Sequence, residues 1–369
     1  MSGNPFLFCA IDAGGARNLA PVAALVGPRA SVIGSDVTVP IFAESAIASR
    51  TARIGDASAA ADLLKAERPQ VLVCGTSRFV AAERRLIAAA REQGVPSVVV
   101  LDEWYDYRMR FADEAGRLAF LSDLICCPDR MARDEADADG LPASRLRVTG
   151  SPSLSALADR ISAFASTPPP RPDCWRADAT GLRILFVSET HLADYGDAAG
   201  RSGPLGGWLG YTERDVRAAV ARAIAARGLH CTVVEKLHPN AMDSPAPPQG
   251  SSACAWHTVV KAPLWPLLWD ADVVIGMKSM ALLEAALMGH RPLSFQPNLQ
   301  GRDRCTASRL GLADRAASDD ELAAWLQQPP ARGAPRRPAF ADARAASNVL
   351  DVTVRLAAEA ARAPLAASS

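Results

Sequence analysis

Residues 270–297, DADVVIGMKSMALLEAALMGHRPLSFQP, read as strand, turn and helix in succession, and they decide the fold class. Val273-Val274-Ile275 is a short β-branched run of the kind found in strands buried on both faces. Gly276-Met277-Lys278-Ser279 is a tight turn in which Ser279 can cap the next helix. Met280 to Met288 has a helix-forming composition and is closed by Gly289, and Pro292 to Phe295 starts the next strand. A helix that begins where a strand ends points its first N–H groups out of the sheet, which makes a natural anion site. Gly276, Lys278, Ser279 and Met280 are therefore candidate ligand contacts. Glu284, one turn into the helix, either hydrogen-bonds a ligand hydroxyl or stabilises the helix dipole.

Working back along the chain, the strand Arg183–Val187 ends at Ser188-Glu189-Thr190-His191, and Glu189 at that carboxyl end joins the ligand-binding candidates. A Gly-rich loop over 196–210 comes next, then a helix to Ala226 with Thr212 and Asp215 spaced as a capping box. The strand Cys231–Val234 runs into Glu235-Lys236-Leu237-His238-Pro239. Two residues apart in extended chain, Lys236 and His238 share a face, and a cation beside an imidazole suits a departing phosphate. Residues 241–252 form a Pro/Ser loop. Downstream, 298–304 is a polar loop, Ser318–Gln327 a helix with a Ser318/Glu321 box, 329–338 extended, and Ala341–Ala363 a last helix.

The first half repeats the plan. Residues 6–11 are a buried strand, Asp12-Ala13-Gly14-Gly15 a glycine turn, and Ala16–Val26 a helix, without the GxGxxG of a dinucleotide site. Further strands are expected at 31–34, 71–75, 97–101, 124–127 and from 147, with helices at 57–66 and 81–93. Alternation at this spacing predicts a parallel sheet with helical crossovers. The strand ending at Leu101 runs into Asp102-Glu103-Trp104-Tyr105, either a pocket wall or a solvated acidic turn. A carboxylate there accepts a proton from a sugar hydroxyl if burial lifts its pKa towards neutrality. Ser166 to Pro172, STPPPRP, can be neither helix nor central strand and reads as a linker. It divides the chain into a first domain (1–165), a second (173–340), and a C-terminal helix and tail (341–369).

The chain has 369 residues, 49% of them hydrophobic and 22% charged, as in globular enzymes. Lys+Arg and Asp+Glu both number 40, so no net field selects nucleic acid. The eight cysteines show no CxxC pair, so no zinc or disulfide framework is expected and a reducing cytoplasm is the expected compartment. The N-terminus runs into a strand rather than a signal peptide. No apolar run approaches the ~20 residues that span a bilayer, which leaves the protein at most peripheral to a membrane.

With two Rossmann-like halves, a Pro-rich joint and the segments ILFVSE, LGYTE, KLHP and GMKSMALLEAALMGHRPLSFQP in that order, the chain resembles GT-B-type nucleotide-sugar transferases of bacterial surface-polysaccharide biosynthesis. The resemblance implies an α/β chain of two Rossmann-like domains facing each other across a cleft, the second holding the donor. It places a phosphate at Ser279 and the helix start, ribose or base near Glu284, and His238 on the donor phosphate. The His-Pro pair and the Ser at a helix start are also similar to sialyltransferases, Kdo transferases and polyol-phosphate transferases. The first two use CMP-sugars and take their base from an acidic pair that Asp102-Glu103 would match, although Trp104 stands where those enzymes carry Gly.

The expected function is a metal-independent glycosyltransferase with a nucleotide-sugar donor, CMP-linked by preference, a glycan or other hydroxyl acceptor, and no further cofactor. Asp102, Glu103 or Asp12 would be the base. Three other readings stay open: an epimerase or hydrolase of the same fold, whose His-rich and Ser-Gly-Gly signatures are missing here; a CDP-polyol phosphotransferase; and a non-catalytic partner protein.

Overall fold

The computed structural model describes residues 5–77, 81–175, 181–241, 246, 248 and 253–362, so most of the loop expected over 241–252 lies outside the described residues. The chain forms two compact units, residues 1–159 with 337–369, and residues 160–336.

The first unit holds a seven-stranded sheet: β1 (Phe6–Cys9), β2 (Ala30–Gly34), β3 (Arg50–Thr51), β4 (Val71–Cys74), β5 (Ser97–Val100), β6 (Leu124–Cys127) and β7 (Leu146–Val148). Their order is β3-β2-β1-β4-β5-β6-β7, and every pairing is parallel. The helices are α1 (Ala13–Val26), α2 (Val39–Glu44), α3 (Ala57–Glu67), α4 (Ala82–Glu92), α5 (Tyr107–Phe111), α6 (Arg130–Ala138) and α7 (Pro152–Phe164), whose last residues belong to the second unit. β1, β4 and β5 are buried along their whole length, as helices on both faces of a parallel sheet require. Strand order reverses between β1 and β4, and such switch points open a crevice at the carboxyl ends of the strands.

The second unit repeats this with β8 (Leu182–Val187), a short hairpin β9 (Ser202–Gly203) and β10 (Gly206–Gly207), then β11 (Cys231–Lys236), β12 (Cys254–Val259), β13 (Val273–Gly276), β14 (Leu293–Phe295) and β15 (Asp314–Ala316). The sheet order is β12-β11-β8-β13-β14-β15, parallel throughout, with its switch point between β8 and β13. Its helices are α8 (His191–Tyr195), α9 (Glu213–Arg227), α10 (Leu264–Asp270), α11 (Met280–Leu287), α12 (Thr306–Arg309) and α13 (Asp319–Gln327). Of the two expected boxes, Thr212 and Asp215 make a reciprocal one on α9; on α13 the Ser318 side chain caps, while Glu321 accepts from Ala317 N and leaves the box half made.

Three details differ from the sequence expectation. α1 begins at Ala13 rather than Ala16, because Asp12 is itself the cap and draws both glycines into the first helical turn. The Gly-rich 196–210 segment contains the β9–β10 hairpin. The last helix, α14 (Ala345–Arg362), belongs with the first unit: Val349 sits in that unit's core, Asn348 Nδ2 donates to the Thr149 carbonyl at 3.1 Å, and Phe340 packs edge-on against Trp104. Its apolar stripe needed a face to cover, and α1 supplies it.

Candidate functional site

In the first unit the residues at the carboxyl ends of β4 and β5 converge on one arginine. Arg110 of α5, 2% exposed, donates from Nη1 to Asp102 Oδ1 at 3.0 Å and to the Thr76 hydroxyl at 2.6 Å. From Nη2 it donates to Glu103 Oε2 at 2.8 Å, and the Tyr105 hydroxyl donates to the other oxygen of Glu103 at 2.8 Å. Asp12 Oδ1 accepts from Gly15 N at 2.8 Å, and Glu83 of α4 accepts from Ile11 N at 3.0 Å. The acidic stretch after β5 is thus a part-buried, arginine-bound cluster and not a solvated turn.

Burial dominates the electrostatics. It lifts Asp102 to about 7, against the opposing pull of Arg110 and with help from the charges of Asp12 and Glu103. Burial likewise raises Glu83 to about 7, and Asp12 to about 6 despite its hydrogen bond from Gly15. With pKa values raised to about 6 to 7, these carboxyl groups stand near the midpoint of titration at neutral pH, and such a set can both take up and release a proton.

The backbone that presents the cluster is fixed from beneath. Asn18 of α1, fully buried, donates to the Leu101 carbonyl at 3.3 Å and accepts from Ser153 N at 3.0 Å, which pins the residue just before Asp102. Trp104 is fully buried and donates to Asp129, the cap of α6, at 2.8 Å. The tryptophan in place of glycine therefore serves as a core anchor for the turn. Asp106, at φ 56°, closes the turn in the left-handed region before α5 begins.

The two glycines after Asp12 have separate reasons. At Gly15 the chain passes Gly75 so closely that a Cβ on Gly75 would lie 2.9 Å from the Gly15 Cα. At Gly14 a Cβ would lie 2.1 Å from Asp102 Oδ2. Gly14→Ala is expected to push the Asp102 carboxylate aside and to cost about 1–3 kcal/mol, the usual range for overpacking. Urea unfolding of the first unit, followed by hydrogen exchange of its strands, checks this. Wild-type stability in that variant would mean that Asp102 moves away freely.

In the second unit Glu189, after β8, and Lys278-Ser279, after β13, meet across the switch point. Glu189 Oε1 accepts from Lys278 N at 2.7 Å and from Ser279 N at 2.9 Å. Its other oxygen lies 3.2 Å from His191 Nε2 and 3.5 Å from Lys278 Nζ. Burial alone would raise its pKa, but Lys278, His191 and the backbone donors outweigh that and hold it at about 2. Ser279 caps α11 through Oγ, which accepts from Ala281 N at 3.2 Å. The helix start expected to receive a phosphate thus carries a carboxylate of the chain itself, which supplies the negative charge that the helix pole favours.

The remaining candidates fall around it. Lys236 Nζ donates to the carbonyls of Leu237 (2.9 Å) and Val260 (2.7 Å), so its charge rests on backbone oxygens, and burial lowers its pKa. His238 Nδ1 accepts from Asn240 N at 3.2 Å; burial lowers its pKa, with Glu189 and Asp194 acting against that. Glu284 accepts from Trp265 Nε1 at 2.8 Å. Gly276 ends β13 beside Ser294, and Met280 opens α11. A cavity of about 590 Å³ lies in this unit, lined by Ser188, Glu189, Leu192, Arg217, Glu235 and Leu237 among others.

No protein-family model matches this chain, and no curated protein matches its sequence. Solved structures do. The UDP-GlcNAc 2-epimerase of Neisseria meningitidis, bound to UDP-GlcNAc, is 13% identical and superposes with a TM-score of 0.64 over 95% of this chain and 99% of its own. The UDP-GlcNAc 2-epimerase of Methanocaldococcus jannaschii is 12% identical with a TM-score of 0.64, over 95% of this chain and 99% of its own. A glycotransferase of kitacinnamycin is 15% identical with a TM-score of 0.55, over 98% and 96%. The fold is GT-B.

Within this GT-B chain, Asp12, Asp102 and Glu103 fall together in the first unit, while Glu189, Lys278 and Ser279 fall together in the second. Glu83, Thr76 and Arg110 were not singled out from the sequence. The one available signal was Arg110 eight residues after Asp102, at the end of the acidic turn.

Proposed function

We propose that this chain acts on a nucleotide-sugar itself, as an epimerase or hydrolase, with the carboxylates of the first unit moving the proton. The observation that carries this reading is the set of buried Glu83 and part-buried Asp12 and Asp102, the last held by Arg110, with pKa values raised to about 6 to 7. Inverting a carbon through its C–H bond requires a base to take the proton and an acid to return it. Neighbouring carboxyl groups that are part ionised and part protonated at neutral pH meet both needs. The structural likeness to UDP-GlcNAc 2-epimerases supports the same choice. In the second unit, the 590 Å³ cavity lined by Glu189, Arg217, Glu235 and Leu237 is of ligand-binding size, and nucleotide recognition is assigned to it.

The test needs no acceptor. The purified chain is incubated in D2O with UDP-GlcNAc, the sugar nucleotide bound in the Neisseria structure, and then with CMP-linked donors, which the sequence motifs favour. An epimer carrying deuterium at the inverted carbon, or nucleotide released at catalytic rates, is the expected result. A donor that stays intact until a hydroxyl acceptor is added would instead establish the glycosyltransferase, the second reading. That reading is supported by the likeness to the kitacinnamycin glycotransferase and by Asp102 as a base for an acceptor hydroxyl.

A further inference from the structure

Away from both clusters, Cys231 and Cys254 are the first residues of β11 and β12 and are paired in parallel register. Their sulfurs are 3.1 Å apart, with Cys231 donating to Cys254. Adjacent strands set Cα atoms about 4.8 Å apart, inside the roughly 4.4–6.8 Å window that a disulfide spans. β12 is the edge strand of its sheet, so Cys254 is half-buried while Cys231 is 2% exposed. Cys231 lowers the pKa of the Cys254 thiol by hydrogen bonding to it. The accessible sulfur is the better nucleophile, and a second thiol waits directly behind it.

We propose that Cys254 and Cys231 form a reactive dithiol that is oxidised to an intrachain disulfide by small-molecule disulfides of the glutathione type. The Cys254 thiolate attacks the disulfide, forms a mixed disulfide and expels one thiolate. Cys231 then loses its proton and attacks the Cys254 sulfur; the protein S–S bond forms and the second small thiolate leaves with that proton. One organic disulfide is reduced to two thiols as two protein thiols are oxidised. The bond would close the segment 231–254 into a ring that contains Lys236 and His238. The inference is independent of the functional reading above.

The chain supplies its own control. Cys9 and Cys74 are register partners on β1 and β4 in the same way, and hydrogen-bonded to each other, but both are fully buried inside the first unit. Native protein treated with oxidised glutathione is expected to lose two of its eight thiols, with a Cys231–Cys254 peptide found by mass spectrometry and Cys9 and Cys74 still reduced. The oxidised form should melt at a higher temperature, and dithiothreitol should reverse the change. Cys231→Ser should stop at a stable glutathione adduct on Cys254. Peptide mapping of the wild-type chain decides the matter whatever that variant does. A glutathione adduct on wild-type Cys254 without the cross-link, or no reaction of the native chain, overturns the proposal.

Discussion

Asp102→Asn is expected to lower kcat/KM by roughly 10²–10⁴-fold at pH 8, the usual worth of a positioned general base. Asp102 lies where β5 ends, its carboxylate held by Arg110 and pressed against Gly14, and burial brings it to about 7. The sign comes from that value. A base works in its ionised form and the returning acid in its protonated form, so Asp102 should give wild-type kcat/KM a rising limb between pH 6 and 7, followed by a fall as the acid ionises. The variant should lack that limb, because an amide does not titrate. Asparagine keeps the shape and can still accept from Arg110, so the folded state should persist and the loss should appear in turnover. Asp12 is the rival base, and the same assay separates the two. The charge of Asp12 helps to raise the pKa of Asp102, and Asp12 itself stands at about 6. If Asp12 were the base, Asp102→Asn would stay active and keep a pH limb near 6, while Asp12→Asn would be inactive.

The alternation of strands and helices was legible because a strand buried on both faces leaves an unbroken apolar run, as at 71–74 and 273–275. The acids after β1 and β5 were legible for a related reason, since the carboxyl end of a parallel strand is where a polar cluster breaks the run. Glu83 and Arg110 were hidden by their surroundings. Glu83 sits in AERR at the head of α4, which reads as an ordinary charged helix face, and Arg110 is one of many arginines in this chain. Nothing local announces that both side chains turn inward. The carboxylate at the start of α11 was equally hidden. The Ser279 turn announces an anion site, but the anion comes from Glu189, on another strand, and only the sheet order brings the two together. The return of α14 to the first unit depends on which face its stripe covers, and a stripe does not name its partner.

Arg110→Met should destabilise the first unit by about 3–5 kcal/mol near neutral pH, the cost of removing one partner from a buried ionic cluster. Methionine fills much of the same volume, so the loss is electrostatic more than steric. The guanidinium, its side chain 1% exposed, is shared by Asp102, Glu103 and Thr76, and none of these gains a replacement donor from a thioether. The pH dependence distinguishes this from simple misfit. Arg110 now holds the pKa of Asp102 down against burial, so in the variant that pKa rises further above its unfolded value of about 3.9. A group whose folded pKa is raised keeps its stability contribution at low pH and loses it as pH rises through the folded pKa. The gap between wild type and variant should therefore be smaller near pH 5, where Asp102 is largely protonated, and widen towards pH 8. Hydrogen exchange of the β1 and β5 amides reads this unit without interference from the other. Arg110→Lys should fall between the two, because it restores the charge without the two-pronged geometry that reaches Asp102 and Glu103 together. A gap that is constant from pH 5 to pH 8 would show that Arg110 matters by packing alone, and the description of Asp102 as a carboxyl poised by its arginine would have to be withdrawn.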